Sequence, residues 1–185
     1  KDSTLALHHL INSNKYSVDK LLSVISFEEQ RVGMHGLRKD LLEKQIEAIG
    51  IPHKIIELKS SLSHEEYDKL MFETNQLLKE EGFTHAAFGD IFLEDLRNYR
   101  ESQLTLMSIE AVFPLWERDT KEVIHEFIDL GYKTIIVAAS EQYFDKQFVG
   151  QEITKELINE LPQGVDPCGE NGEFHTFCFD GPLFK

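Results

Sequence analysis

The chain has 185 residues, 41% hydrophobic and 28% charged, with a net charge of −14. That apolar fraction supports one good core, and the length is that of a single domain with room for a small appendage. The acid excess works against broad attraction to a nucleic-acid backbone. The two cysteines, Cys168 and Cys178, supply neither a disulfide framework nor a zinc ligand set, and no apolar run reaches the length of a membrane span, so a reducing cytoplasm is the expected setting.

The chain opens on Lys1-Asp2-Ser3. Apolar residues at 5, 7, 10 and 11 and a polar Asn12-Ser13-Asn14 stop predict a first helix capped by Asp2 or Ser3. A helix start offers free amides and the positive end of a dipole, and a lysine ammonium adds a point charge, so the geometry suits a pyrophosphate. Three such residues are equally well explained by a solvated cap. The chain begins without Met and without a strand leading into this helix, from which a segment upstream of Lys1 is expected.

Residues 21–26 form a short apolar run suited to a buried strand. Leu37, Leu41, Leu42, Ile46 and Ile49 recur at helical spacing before Gly50 and Pro52, which predicts a helix over 37–49. Residues 54–58 read as the next strand. Ser63 with Glu66 forms a capping box for a helix to about residue 81, stopped by Gly82. A strand over 84–88, a helix over 96–107 and a strand over 109–113 follow. Asp119 and Glu122 then open a helix that buries Val123, Ile124, Phe127 and Leu130, and 133–139 is the clearest buried strand. This alternation predicts an α/β fold: an open, mostly parallel, Rossmann-like twisted sheet with helices on both faces.

Ligands of such sheets sit outside the carboxyl ends of the strands, which directs attention to the loops 26–36, 89–95, 114–118 and 140–150. Gly89 directly follows a strand and permits close backbone approach, while Asp90, Glu94 and Asp95 would suit a nucleotide phosphate with magnesium; a turn and an exposed helix start explain the same residues. Arg97, Arg100 and Arg118 could receive an anionic substrate, although Arg97 with Glu101 also reads as a solvated i,i+4 pair. Trp116 reads as packing, and His8 and His9 as structural or solvated. Residues 164–176 are too rich in glycine, acid and polar groups to be core, and end in the apolar Phe177-Cys178-Phe179. Glu170, Glu173 and His175 could bind a metal, act as acid and base, or hold a polar substrate; a mobile solvated tail is the alternative.

Taken together these stretches resemble a family. Lys1-Asp2-Ser3 matches the end of the S-G-G-K-D-S loop of the PP-loop ATP pyrophosphatases, the adenine nucleotide alpha hydrolase superfamily. Gly89-Asp90-Ile91, Arg97 with Glu101, Leu115-Trp116-Glu117-Arg118-Asp119, Gly169-Glu170-Asn171-Gly172-Glu173 and Asp180-Gly181-Pro182-Leu183-Phe184 resemble its diphthine-ammonia ligase branch.

The resemblance implies an enzyme that cleaves ATP to AMP and pyrophosphate, activating a carboxylate or amide oxygen as an adenylate that ammonia displaces. Its cofactors would be ATP and Mg²⁺. The whole chain would be one PP-loop ATP-binding domain, with 140–185 as the acceptor-side portion. Lys1 and Ser3 would hold phosphates and Asp2 would place Mg²⁺, with Gly89 and Asp90 at the nucleotide and Ser26 near adenine. Glu170, Asn171, Glu173 and His175 would line the acceptor side, where Arg97, Trp116 and Arg118 also contact substrate. The expected partners are a small-molecule or protein-borne carboxylate acceptor and ammonia, with a homodimer compatible, and neither membrane nor nucleic acid.

This sequence departs from the ligase pattern where Asn171-Gly172 replaces a glycine pair, Phe174-His175 a Tyr-Glu, and Leu96-Arg97 a Gln-Arg. The departures look like those of bacterial relatives; bacteria do not make diphthamide, which points to a different acceptor. The competing readings are a PP-loop RNA-modifying enzyme, disfavoured by acidity and the lack of paired catalytic cysteines, and a nucleotide-binding module without chemistry.

Overall fold

Helix and strand alternate along the molecule in the order α1 (Asp2–Asn12), β1 (Leu21–Ser26), β2 (Arg31–Val32), α2 (Lys39–Ile49), β3 (His53–Leu58), α3 (His64–Glu80), β4 (His85–Ala87), α4 (Glu94–Thr105), β5 (Glu110–Val112), α5 (Thr120–Asp129), β6 (Lys133–Ala139), α6 (Lys155–Asn159) and β7 (Phe174–Asp180). The computed structural model describes residues 1–33, 36–59 and 61–185, so positions 34 and 35 of the loop 26–36 lie outside the described residues. The fold is mixed α/β, as expected. Two strand pairs are parallel and carry a helical crossover: β1 with β3 through α2, and β4 with β5 through α4.

The local signals explain most boundaries. Gly50 ends α2 in the left-handed conformation at φ 74°, which a side chain would resist. Ser63 and Glu66 form the predicted capping box on α3, and the Asp119 carboxylate accepts from the Glu122 amide at the start of α5. The helix expected over 96–107 begins earlier, at Glu94, because Glu94 and Asp95 suit the positive end of its dipole.

Three expectations are corrected. Among the described residues no side chain caps α1: Lys1 is the N-cap residue, and the Asp2 carboxylate is drawn to the Lys1 ammonium, both oxygens lying 2.8 Å from Nζ. In place of one open sheet, the described strands form three small ones, β2-β1-β3, β4-β5 and β6-β7, in which β2 runs antiparallel to β1 and β6 antiparallel to β7 with two register shifts. The stretch 164–176 is not too polar to be core. Val165, Cys168, Glu173 and Phe174 are all buried, because the loop satisfies its own polar groups.

Among the described residues two hydrophobic clusters hold the molecule. The larger joins Leu5 and Ala6 of α1, Ile91, Leu115, Val123, Ile124 and Phe127 of α5, Ile136 of β6 and Phe174 and Cys178 of β7. The smaller joins Ile25, Leu37, Leu42 and Phe177, with Ile135 and Val137 packed against it. The β6–β7 pair thus serves both clusters, one from each face, as the period-two alternation of a strand dictates. At the chain end, Gly181 lies so close to Tyr132 that a Cβ would sit 2.2 Å from the ring, while the Tyr132 hydroxyl is 2.8 Å from His8 Nδ1 on α1. Leu183 and Phe184 pack on the larger cluster, and the Lys185 amide donates to the Ala48 carbonyl of α2 at 2.8 Å.

Candidate active site at the start of helix α1

Helix α1 starts beside the carboxyl end of β4. Gly89 follows that strand and lies against the first turn: a Cβ there would meet the Ser3 nitrogen at 2.7 Å and the Asp2 carbonyl carbon at 2.8 Å. The glycine does permit close approach, and what approaches is the protein's own helix start. The Lys1 side chain does not cap α1, and a helix start of this kind is a place where backbone amides suit an anion.

The Lys1 side chain is 4% exposed. Its ammonium donates to both Asp2 oxygens and to the Cys168 carbonyl, and the main-chain nitrogen of Lys1 donates to Thr176 Oγ1 at 3.3 Å. Burial alone would push this ammonium down, but pairing with Asp2, with Cys168 and Glu170 as further neighbours, outweighs it, so Lys1 is held above its ordinary value. Burial likewise opposes ionisation of Asp2, yet the Lys1 ammonium draws it below the carboxylate range. The pair is therefore an ion pair.

Acids gather around it. Asp90 meets Arg100 Nε at 2.9 Å, but burial and then the charge of Asp2 raise its pKa despite the arginine. Glu170 is pushed up to about 7, first by burial and then by repulsion from Asp2, with Lys1 opposing and Asp166 and Asp90 adding. His175, half-buried in β7, is pushed down by burial and by the Lys1 charge, so its imidazole is neutral. One element from each part of the chain thus contributes: α1, the turn after β4, the loop before β7, and β7.

That loop is organised by Glu173, 2% exposed. Its Oε1 accepts from the Asp166 amide at 3.0 Å and from Asn171 Nδ2 at 3.1 Å, and its Oε2 from the Asn171 amide at 2.9 Å. Burial alone would raise Glu173, but these donors overcome it and hold the carboxyl below its ordinary value. Glu173 and Asn171 therefore meet each other inside the loop.

The remaining expected residues have partners of their own. Arg97 stacks on Trp116 and Phe113, its guanidinium carbon 4.5 and 5.1 Å from the ring centroids, and donates to Glu101 at 2.7 Å. Arg100 stacks on Phe88 at 4.2 Å. Arg118 is not brought to the cluster: it pairs with Glu126 at 2.7 Å and lies 3.3 Å from His9 Nε2, eight residues along α1 from Lys1 and so about 12 Å away. Ser26 ends β1, its hydroxyl accepting from the Glu29 amide at 3.2 Å; among the described residues no hydrogen bond joins it to Lys1, Asp2 or Ser3. Sequence reasoning missed the Cys168 carbonyl and Asp166. A backbone carbonyl leaves no mark in a sequence, whereas Asp166-Pro167 is a turn-forming dipeptide that could have been noticed.

Comparison with known proteins sets this geometry in a family. Residues 1–105 match the diphthamide synthase N-terminal domain, and residues 119–185 the diphthamide synthase C-terminal domain. The chain belongs to the diphthamide synthase family. It is 30% identical over 198 residues to the diphthine–ammonia ligase of Danio rerio, covering 99% of this chain and 74% of that protein. Against the enzyme of the same name from Mus musculus the identity is 28% over 124 residues, 62% of this chain and 45% of that protein. For the Homo sapiens enzyme it is 25% over 175 residues, 86% and 64% respectively. The chain thus spans between about half and three quarters of these relatives. Within the diphthamide synthase frame the cluster is composite: Lys1, Asp2 and Asp90 come from the N-terminal match, Glu170 and His175 from the C-terminal one, and Trp116 lies between the two.

Proposed function

We propose that this chain is the ATP-using portion of an amide-forming ligase, which adenylates a carboxylate or amide oxygen of its acceptor and transfers ammonia to it. The observation that carries the reading is the buried Lys1 ammonium at an uncapped helix start, with acids from both family domains around it. Membership of a family whose relatives are named diphthine–ammonia ligase supports the reaction class. The acceptor remains a carboxylate-bearing small molecule or protein side chain, and Arg97, Trp116 and Asn171 are assigned to its side of the site.

For a carboxylate acceptor, one of its oxygens attacks the α-phosphorus of ATP, the bond to the β-phosphate oxygen breaks, and pyrophosphate leaves. Ammonia then adds to the carbonyl carbon, AMP departs with the oxygen it gained, and nitrogen loses a proton. Lys1 and the first-turn amides around Ser3 hold phosphate oxygens. Glu170, at about 7, is suited to take up the proton. Glu173 shapes the loop that presents Glu170 and Asn171.

Among the described residues no three His, Cys, Asp or Glu side chains form a metal cage. Mg²⁺ fits nonetheless, because it is ordinarily held by one or two carboxylates and substrate phosphates, and Asp2 and Asp90 lie close enough for the charge of Asp2 to raise Asp90. Bound there, it supplies neutralisation of the triphosphate and of the leaving pyrophosphate. RNA thiolation fits less well, since Cys168 is pushed up to about 12 by burial and Cys178 is raised by burial as well. These free, buried thiols suit a cytoplasmic setting, and among the described residues no helix is long and apolar enough to cross a membrane.

The test is product identity. With ATP, Mg²⁺, ammonium and a panel of carboxylic acids, turnover should yield AMP and pyrophosphate by ³¹P NMR, and ADP as the sole nucleotide product overturns the mechanism. Lys1→Ala should weaken ATP binding about tenfold or more in calorimetry, the loss of a charge-assisted phosphate contact. ATP binding without turnover on any acceptor would favour the binding module.

A further inference from the structure

Asp166 has no part in the roles assigned above, yet it is the hub of the loop before β7. Its Oδ1 accepts from the Cys168 amide at 2.8 Å and from the Glu170 amide at 3.3 Å, and its Oδ2 accepts from the Thr120 hydroxyl at 2.7 Å. Its own amide donates to Glu173 at 3.0 Å, and its carbonyl accepts from the Gly169 amide at 2.9 Å. The first of these bonds is an Asx-turn, which fixes the two residues that follow the aspartate.

Two consequences come from where those partners lie. Cys168, whose amide Asp166 clamps, offers its carbonyl to the Lys1 ammonium. Thr120 is the first residue of α5, and α5 packs Val123, Ile124 and Phe127 into the cluster that also holds Leu5 and Ala6 of α1. Asp166 therefore ties the loop to the same packed body that fixes α1. The turn has no slack: at Gly169, φ +70°, a Cβ would meet the Phe174 carbonyl oxygen at 2.7 Å.

We propose that Asp166 is a positioning residue of the nucleotide site, holding the Cys168 carbonyl against Lys1 so that the ammonium stays anchored at the helix start when one of its N–H groups passes from Asp2 to a phosphate of ATP. This rests on Lys1 being a phosphate ligand. Asp166 acts through geometry and touches no nucleotide atom. An ammonium on a flexible four-carbon stem has no preferred direction of its own, so a rigid carbonyl at its back lowers the ordering cost of meeting a phosphate.

The experiment is a double-mutant cycle in the full-length protein, reading calorimetric affinity for α,β-methylene-ATP with Mg²⁺. Asp166→Ala should weaken binding about tenfold in the wild-type background and less than about twofold in the Lys1→Ala background, because a residue acting through Lys1 has nothing left to act on. Asp166→Asn keeps an acceptor oxygen for the amides and can donate to the Thr120 hydroxyl, so it should stay within about threefold of wild type. Equal losses in both backgrounds, the behaviour of a purely structural residue, overturn the proposal. So does an Asn variant as weak as the Ala variant, which would make charge the cause. If wild type binds the analogue and Lys1→Ala binds it equally well, the failure is that of Lys1 as a phosphate ligand. Should Asp166→Ala not fold, Thr120→Val removes only the Oδ2 partner; its expected effect is about threefold, with the same loss of effect in the Lys1→Ala background.

Discussion

Glu170 and Glu173 stand three positions apart on one loop and titrate in opposite directions, because one is buried among acids and the other among donors. Glu170, raised to about 7, contributes stability that is whole below the ordinary carboxylate pKa and lost as pH rises through its folded value. Glu170→Gln should therefore match wild type near about pH 4 and exceed it at about pH 8, by about 1–2 kcal/mol once solvent screening is allowed for. Denaturant unfolding at the two pH values reads the difference, and a gap that does not change with pH contradicts a carboxyl titrating near neutrality. Glu173 has the opposite sign: its depressed pKa contributes stability present above the ordinary value and lost on acidification. Glu173→Gln keeps one acceptor oxygen but sets an NH₂ against the Asn171 amide, a donor facing a donor, which costs about 1–3 kcal/mol. The loss should appear as a lower melting midpoint at neutral pH and shrink below about pH 4.

At the scale of elements, the contact of Gly89 with α1 is the most sensitive joint. Gly89→Ala would drive a methyl group into the backbone of Asp2 and Ser3, and neither can yield without moving the helix start. A destabilisation of about 2–3 kcal/mol is expected, together with weakened ATP binding, and an alanine variant that melts and binds like wild type would mean the helix start tolerates displacement. Much of this layout was legible in the sequence. The capping box at Ser63, the Gly50 stop, the Asp119 cap and the strands β1 and β6 each carry a local chemical signature, and local signatures can be read in one dimension. Of the cluster around helix α1, the Lys1–Asp2 pair and the acids at 90 and 170 could be picked out through their residue types. The direction of β7 was not, because a strand's partner is chosen by tertiary packing. Nor was the placing of Arg118, whose attachment to Glu126 and His9 spans two helices. The loop 164–176 misled because its glycines and acids look solvated, while its carboxylates in fact bond its own amides.

Taken whole, the molecule carries a net charge of −14 and concentrates several of its acids around one buried lysine. Self-repulsion of that size is screened by salt, so raising NaCl from about 0.05 to 0.5 M should raise the melting midpoint, and a flat response would mean that local ion pairs already balance the field. The final turn matters at this scale for a mechanical reason. Gly181 leans on the Tyr132 ring, Tyr132 reaches His8 of α1, and Lys185 is bonded to α2, so the last five residues clasp helices that belong to different hydrophobic clusters. Without that clasp the halves would be joined chiefly through the shared β6–β7 pair. Cooperativity of unfolding, more than its midpoint, is the quantity that residues 181–185 should govern.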